Sequence, residues 1–309
     1  MYSIIDLLSL TQYQAYCKVK QVINKFKKET VRFKDSKYLV MNVEVNKPKP
    51  MLCIHLDTIN TLRGKDLNIP SNYFHYDVTT KTYSLSTIGK SQLSCLGGDD
   101  RAGLWLVMQV LADKELSHKY CYGIFFDEES GGKGSTKYMK DFPDYEDGVS
   151  CFIGLDRRGS YECATYGSDN KELIDTLETL GYIEAYGSFT DASNLAFEKA
   201  CINLSVGYAK EHTTEETLNM TYAKQTLDVL KVLHTKLTKP AYEVEATTKQ
   251  WGYSSYYKDE QYTGFSNIDN HLDRKPVFCV CCGTHSPLYE ADNGYMLCGD
   301  CIDFYDKGY

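Results

Sequence analysis

Five short stretches of the chain carry side chains that bind divalent metals or move protons: His55-Leu56-Asp57, Asp99-Asp100, Asp127-Glu128-Glu129, Asp156 and Glu211-His212. Mixed imidazole and carboxylate donors suit zinc, and cobalt or manganese would also fit. The inventory matches a pair of ions, with His55, Asp156, Glu129 and His212 as terminal ligands and Asp99 as a bridge. Two divalent cations would balance these three carboxylates plus one hydroxide. Glu128 stands beside a ligand and is left over, which makes it the candidate general base. His55 and Asp57 share one face of a strand, so Asp57 is placed to hold the imidazole of His55 from behind. The chemistry expected of such a set is hydrolysis by activated water.

Taken singly, each stretch also suits a structural role; Asp-Asp before a helix, for example, is a common N-cap. What joins them is their position. Residues 51–56, 120–126, 151–155 and 201–206 are apolar runs of strand length without strict alternation, as in strands buried on both faces. Three of them run straight into candidate ligands, and the fourth reaches Glu211-His212 after a short loop. Helical patterns lie at 101–114, 134–140, 170–180, 191–199 and 214–237. Strands alternating with helices predict an α/β fold, a mostly parallel central sheet flanked by helices. Ligands of such sheets gather at the carboxyl ends of the strands. Carboxylates and two histidines converging there would repel unless cations were present. Val19, Val22, Ile23 and Phe26 predict one amphipathic helix over 6–29. Short strands are expected at 31–33 and 38–45, and a small hairpin insertion within 61–94.

The series His55-Leu56-Asp57, Gly98-Asp99-Asp100, Asp127-Glu128-Glu129 with Gly131-Gly132, Asp156 and Glu211-His212-Thr213 resembles, in content and order, the co-catalytic di-zinc exopeptidases. That clan includes bacterial leucyl aminopeptidases, tripeptide aminopeptidases and related carboxypeptidases and deacylases. The resemblance covers about residues 40–237. It implies one metal on His55 and Asp156, a second on Glu129 and His212, Asp99 between them, Glu128 as base and Asp57 as the orienting group. It also implies a cis Asp99–Asp100 peptide. Gly98 departs mildly from the family, which often has Ala there. The segment Gly187-Ser188-Phe189-Thr190-Asp191-Ala192 resembles the family's Gly-(Thr/Ser)-Asp segment near the substrate pocket, which marks Asp191 as a substrate-binding candidate. Arg157, followed by Arg158-Gly159, either binds a substrate carboxylate or forms a surface ion pair. Residues 157–211 leave no room for a lid domain, and 56–98 leave room for a hairpin only, which resembles the compact aminopeptidase plan. The activity implied is cleavage of the N-terminal peptide bond of peptides or of small di- and tripeptides.

At the other end, Cys279-x-x-Cys282 and Cys298-x-x-Cys301, with Gly283 and Gly299 in the knuckle turns, have the spacing of a tetrahedral structural zinc site and resemble a zinc ribbon. The organisation expected is a catalytic domain over 1–240, a polar linker or strap over 241–274 and a ribbon-like module over 275–309. The cofactors expected are two catalytic zinc ions and one structural zinc. From residue 271 onward acidic residues outnumber basic ones, so the ribbon is expected to contact protein rather than nucleic acid.

Composition sets the outer limits. The 309 residues are 42% hydrophobic and 25% charged, which excludes a wholly disordered chain, and the net charge of −8 argues against nucleic acid as the main partner. The longest apolar run, 120–126, is too short to span a bilayer, and the first residues lack the features of a signal peptide. A cytoplasmic location with reduced cysteines is expected. Two other functions fit the same residues. One is a di-zinc amidase or deacylase acting on N-acyl amino acids. The other is a catalytically silent metal-binding adaptor that recruits a protein through the ribbon.

Overall fold

The structure, a computed structural model, describes residues 2–23, 31–34, 37–59, 69–245, 288–290 and 296–298. The chain divides into two units, Met1–Glu245 and Ala246–Tyr309.

The first unit is built on an eight-stranded sheet. Its centre comprises β3 (Lys49–His55), β6 (Cys121–Phe125), β7 (Val149–Arg157) and β10 (Cys201–Ser205), in the order β6-β3-β7-β10 and all parallel. Alternate residues of these strands feed two separate cores. Leu52, Ile54, Tyr122, Ile124, Ile153 and Leu155 enter one, whereas Met51, Cys53, Cys121, Phe125 and Phe152 enter the other. This is why the runs lack a polar alternate: both faces of the pleat are covered. One face packs against α4 (Gly98–Ala112) and α8 (Met220–Lys236), the other against α5 (Lys133–Asp141) and α7 (Asp191–Leu195).

The expected mostly parallel sheet holds at its centre, but the flanks are mixed. On one side β2 (Tyr38–Met41) is antiparallel to β6, and β1 (Val31–Lys34) is antiparallel to β2. On the other side β8 (Glu162–Thr165) is antiparallel to β10, and β9 (Ile183–Tyr186) is parallel to β8. Only three residues separate β1 from β2 and four separate β7 from β8, and a parallel return needs a crossover of about a dozen residues.

Local chemistry explains the other differences. The single helix expected over 6–29 is two helices within the described residues, α1 (Ile4–Leu8) and α2 (Gln12–Ile23). Thr11 starts the second with a reciprocal cap: its Oγ1 accepts the Gln14 N–H at 3.2 Å, and Gln14 Oε1 accepts the Thr11 N–H at 2.9 Å. The helix expected over 191–199 stops at Leu195, because Glu146 captures the N–H groups of Phe197, Glu198 and Lys199. The helix expected from 214 begins at Met220, capped by the Asn219 side chain. The residues before it form β12 (Thr217–Asn219), which with β11 (Tyr208–Ala209) joins the expected hairpin, β4 (Phe74–Asp77) and β5 (Thr82–Leu85), in a second sheet of order β11-β12-β5-β4.

Gly103 sets the seat of α4 on the sheet. A Cβ there would lie 2.2 Å from the carbonyl oxygen of Leu155 on β7, so only glycine lets the helix come this close. Residues 241–245, expected to begin the linker, are attached to this unit. Tyr242 is buried, donates its N–H to Ser150 O and accepts the Ala200 N–H. Among the described residues no helix is long and apolar enough to cross a membrane.

In the second unit the described residues form an antiparallel pair, β13 (Leu288–Glu290) and β14 (Met296–Cys298), with Leu288 opposite Cys298. Cys279, Cys282 and Cys301 lie outside the described residues, as does the rest of the expected linker.

Candidate metal centre

The parallel strands deliver their ends to one place. His55 is the last residue of β3, the Asp127-Glu128-Glu129 turn follows β6, and Asp156 lies near the end of β7. Asp99 comes from the start of α4, where Asp99 (φ −80°, ψ 107°) and Asp100 (φ −114°, ψ 44°) depart from helical values. The peptide between them is cis. His212 comes from the loop between β11 and β12, with a left-handed φ of 63°.

Each imidazole is held between carboxylates. His55 Nδ1 lies 3.1 Å from the carbonyl oxygen of Asp57 and 3.4 Å from its Oδ1. This turns His55 Nε2 inward, 3.1 Å from Asp99 Oδ1 and 3.5 Å from Asp156 Oδ1. His212 Nε2 lies 3.2 Å from Asp99 Oδ2 and 3.1 Å from Glu129 Oε1. The two oxygens of Asp99 thus face different histidines. Zinc bonds of about 2.0–2.1 Å at tetrahedral angles give ligand-to-ligand edges of about 3.3 Å, so the separations fit ions between these donors. His55, Asp99 and Glu129 form one group able to hold a metal, and His55, Asp100 and Asp156 another. Asp100 is the less available donor: its Oδ2 accepts the His55 N–H and its Oδ1 the Gly103 N–H.

The electrostatics fit a cation equally well. Burial pulls both histidines down, but the surrounding carboxylates win; His55 rises well above the usual imidazole range and His212 to about 12. Burial pushes Asp156 up to about 6, with the Asp99 charge adding to it, and raises Glu129 in the same way. Asp99 is held low against burial by hydrogen bonds from His212 and His55. Both histidine shifts run in the direction that favours positive charge among these carboxylates.

Glu128 lies partly open to solvent, yet desolvation drives its pKa well up; Asp156, Glu129 and Asp191 add to this and His55 opposes it. Asp57 binds the Glu128 N–H through Oδ1 and the Glu129 N–H through Oδ2, each at 3.1 Å, besides facing His55. One carboxylate therefore sets the positions of three candidate site residues.

Several residues that sequence reasoning missed support Asp156. Thr190 donates its hydroxyl to Asp156 Oδ2 at 3.1 Å, and Tyr208 donates its own to Oδ1 at 3.2 Å. Asn203 binds both backbone groups of Asp156 with its side chain, where the register of β10 on β7 shifts. Arg101 is buried with its guanidinium on the carbonyls of Leu56 and Leu10, tying the His55-to-Asp57 turn to the N-terminal segment. Thr190 lies inside a segment singled out in the sequence; nothing local marks the other three.

The remaining candidates have partners of their own. Asp191 is buried at the start of α7, accepts a hydrogen bond from Ser135 and is pushed up to about 8 by burial. Its second oxygen has no partner among the described residues. Arg157 forks onto Glu162 Oε2 at 3.0 and 2.8 Å, and Arg158 pairs with Glu211 at 2.8 Å.

No protein-family model and no curated protein matches the chain. Solved structures do. Aminopeptidase PepT from Bacillus cereus shares 14% identity, with 76% of this chain and 97% of that one covered and a TM-score of 0.53. A tripeptidase from Staphylococcus aureus gives 14%, 76%, 97% and 0.55 for the same quantities. The TET1 peptidase of Pyrococcus horikoshii, which can assemble into a tetrahedron or a large octahedral shell, gives 14%, 75%, 99% and 0.52. The chain therefore has the fold of these peptidases, with a cluster of potential metal ligands at the carboxyl ends of its central strands.

Proposed function

We propose that the chain is a metal-dependent aminopeptidase acting on peptides with a free amino terminus, small di- and tripeptides included. The observation that carries the reading is the disposition of Asp99, with Oδ1 toward His55 and Oδ2 toward His212. It suits two ions, one held by His55, Asp156 and Asp99, the other by His212, Glu129 and Asp99. Zinc fits this donor set. When bound, such ions supply Lewis acidity that polarises the scissile carbonyl and makes water nucleophilic near neutral pH.

The protein's own groups do the rest. Glu128 accepts the proton of the attacking water and returns it to the leaving amine nitrogen. Asp57 keeps His55 and the Glu128–Glu129 turn in register, while Thr190 and Tyr208 fix the Asp156 carboxylate. Asp191 and Arg157 remain proposed substrate contacts, and Cys279, Cys282, Cys298 and Cys301 a proposed structural zinc site.

The test has two arms. Elemental analysis of protein purified without chelators should find about three metals per chain, at least one of them zinc. Unblocked di- and tripeptides should be cleaved and their N-acetylated forms should not. Preference for the acetylated forms would replace this reading with an amidase. A pair of sites that never fills with zinc, cobalt or manganese would leave the silent adaptor.

A further inference from the structure

Glu216 lies four residues beyond His212, on the same loop, and is fully buried at 0% exposure. A buried carboxylate needs partners. This one uses both oxygens on the backbone of another segment: Oε1 accepts the Asp99 N–H at 3.0 Å, and Oε2 accepts the Gly97 N–H at 2.9 Å. Those amides belong to a buried turn that enters α4 through non-helical residues, so no helical carbonyl receives them. Its own amide closes the loop by donating to Thr213 O at 3.1 Å.

We infer that Glu216 is a positioning residue for the metal centre, locking the His212 loop to the Asp99 turn so that the two ligands face each other. His212 Nε2 and Asp99 Oδ2 stand 3.2 Å apart, although 113 positions separate the two residues and they come from different elements. Glu216 adds two bonds from the His212 loop to the backbone of the Asp99 turn at this point. Gly98 makes the approach possible: a Cβ there would stand 2.9 Å from Glu216 Oε1 and 3.1 Å from the Cβ of Tyr208. The pair thus accounts for glycine at 98. This inference rests on the proposed metal centre but not on its peptidase activity.

The test is Glu216→Gln in the full chain, with zinc as the probe. An amide offers one acceptor and presents an NH2 group to the second N–H, so only one of the two bonds survives at nearly constant volume. Partners that orient metal ligands typically account for 10- to 100-fold in metal affinity, and about that loss is expected here in chelator competition. Circular dichroism on the same sample checks the fold. Excess zinc should restore kcat on an unblocked peptide, which it would not do for a general folding defect. The neighbouring Glu215→Gln, which removes only an exposed pair with Lys90, should bind zinc as the parent does. If Glu216→Gln does not fold, Gly98→Ala decides the matter, since it retains the carboxylate and displaces it; it should weaken zinc to a similar degree. Zinc affinity within about twofold of the parent, in whichever variant folds, overturns the inference. Loss of zinc affinity in a chain whose parent cleaves no peptide would sustain the inference and remove the aminopeptidase reading instead.

Discussion

At the residue scale the centre is a problem of charge. Carboxylates and imidazoles crowd within hydrogen-bonding distance, and either protons or cations must neutralise them. Two predictions follow from that crowding. Glu128→Gln should keep its metal content and lose at least about 10²-fold in kcat, because it removes a proton acceptor and no ligand. A near-normal rate would take Glu128 out of its assigned role. The second prediction concerns pH. In the metal-free fold His212 is raised from 6.5 to about 12, so it stays protonated between those values. Zinc must displace that proton, hence binding should release protons and tighten as pH rises. The proton contribution to metal-free stability has the opposite sign: complete below pH 6.5, it fades as pH climbs toward 12. Calorimetry in buffers of different ionisation enthalpy measures the release directly. Binding without proton release would show that His212 is not a ligand.

At the element scale the strand ends and the start of α4 are brought together by close packing. Gly103 allows α4 to sit against β7, and a Cβ there would also approach the Asp100 carboxylate at 2.4 Å. Gly103→Ala should therefore destabilise by about 1–3 kcal/mol through overpacking, and it should weaken metal binding by shifting Asp100 against His55. Urea unfolding with parallel metal titration checks both; an unchanged midpoint would mean that the helix recoils freely. The elements also show where periodicity misleads. Val19, Val22 and Ile23 keep their helical period as buried residues of α2, with Phe26 outside the described residues, but the pattern does not report that Thr11 caps a fresh start. Residues 191–199 read as helix until Glu146, distant in sequence, takes their N–H groups. Strands β8, β9, β11 and β12 are each four residues or fewer, too short for a period to declare itself.

At the scale of the whole molecule, the unit Met1–Glu245 contains every candidate catalytic ligand. Its last residues close it. Tyr242 is 2% exposed and bridges Ser150 and Ala200 through its backbone. A chain ending at Glu245 should fold, bind about two metals and retain peptidase activity, against about three metals for the full chain. A chain ending at Lys239 should lose about 3–5 kcal/mol, the cost of deleting a large buried ring. Thermal melts and elemental analysis of the two truncations test both statements. Equal metal content in the 1–245 and full-length chains would remove the structural zinc from the C-terminal cysteines.

The amino-acid sequence alone determines the buried strands of the central sheet and the residue types that can meet at their ends. Both are local properties: apolar runs without a polar alternate, and ligating side chains immediately after them. Tertiary structure decides the rest, because it depends on partners far apart in the chain. It sets the antiparallel flanks, the orientation of the Asp99 carboxylate between two histidines, and the support of Asp156 by Thr190, Tyr208 and Asn203. Glu216 shows the division most clearly. Its position after His212 can be read from the chain, but its purpose depends on two backbone N–H groups more than a hundred residues away, and only the fold brings those to it.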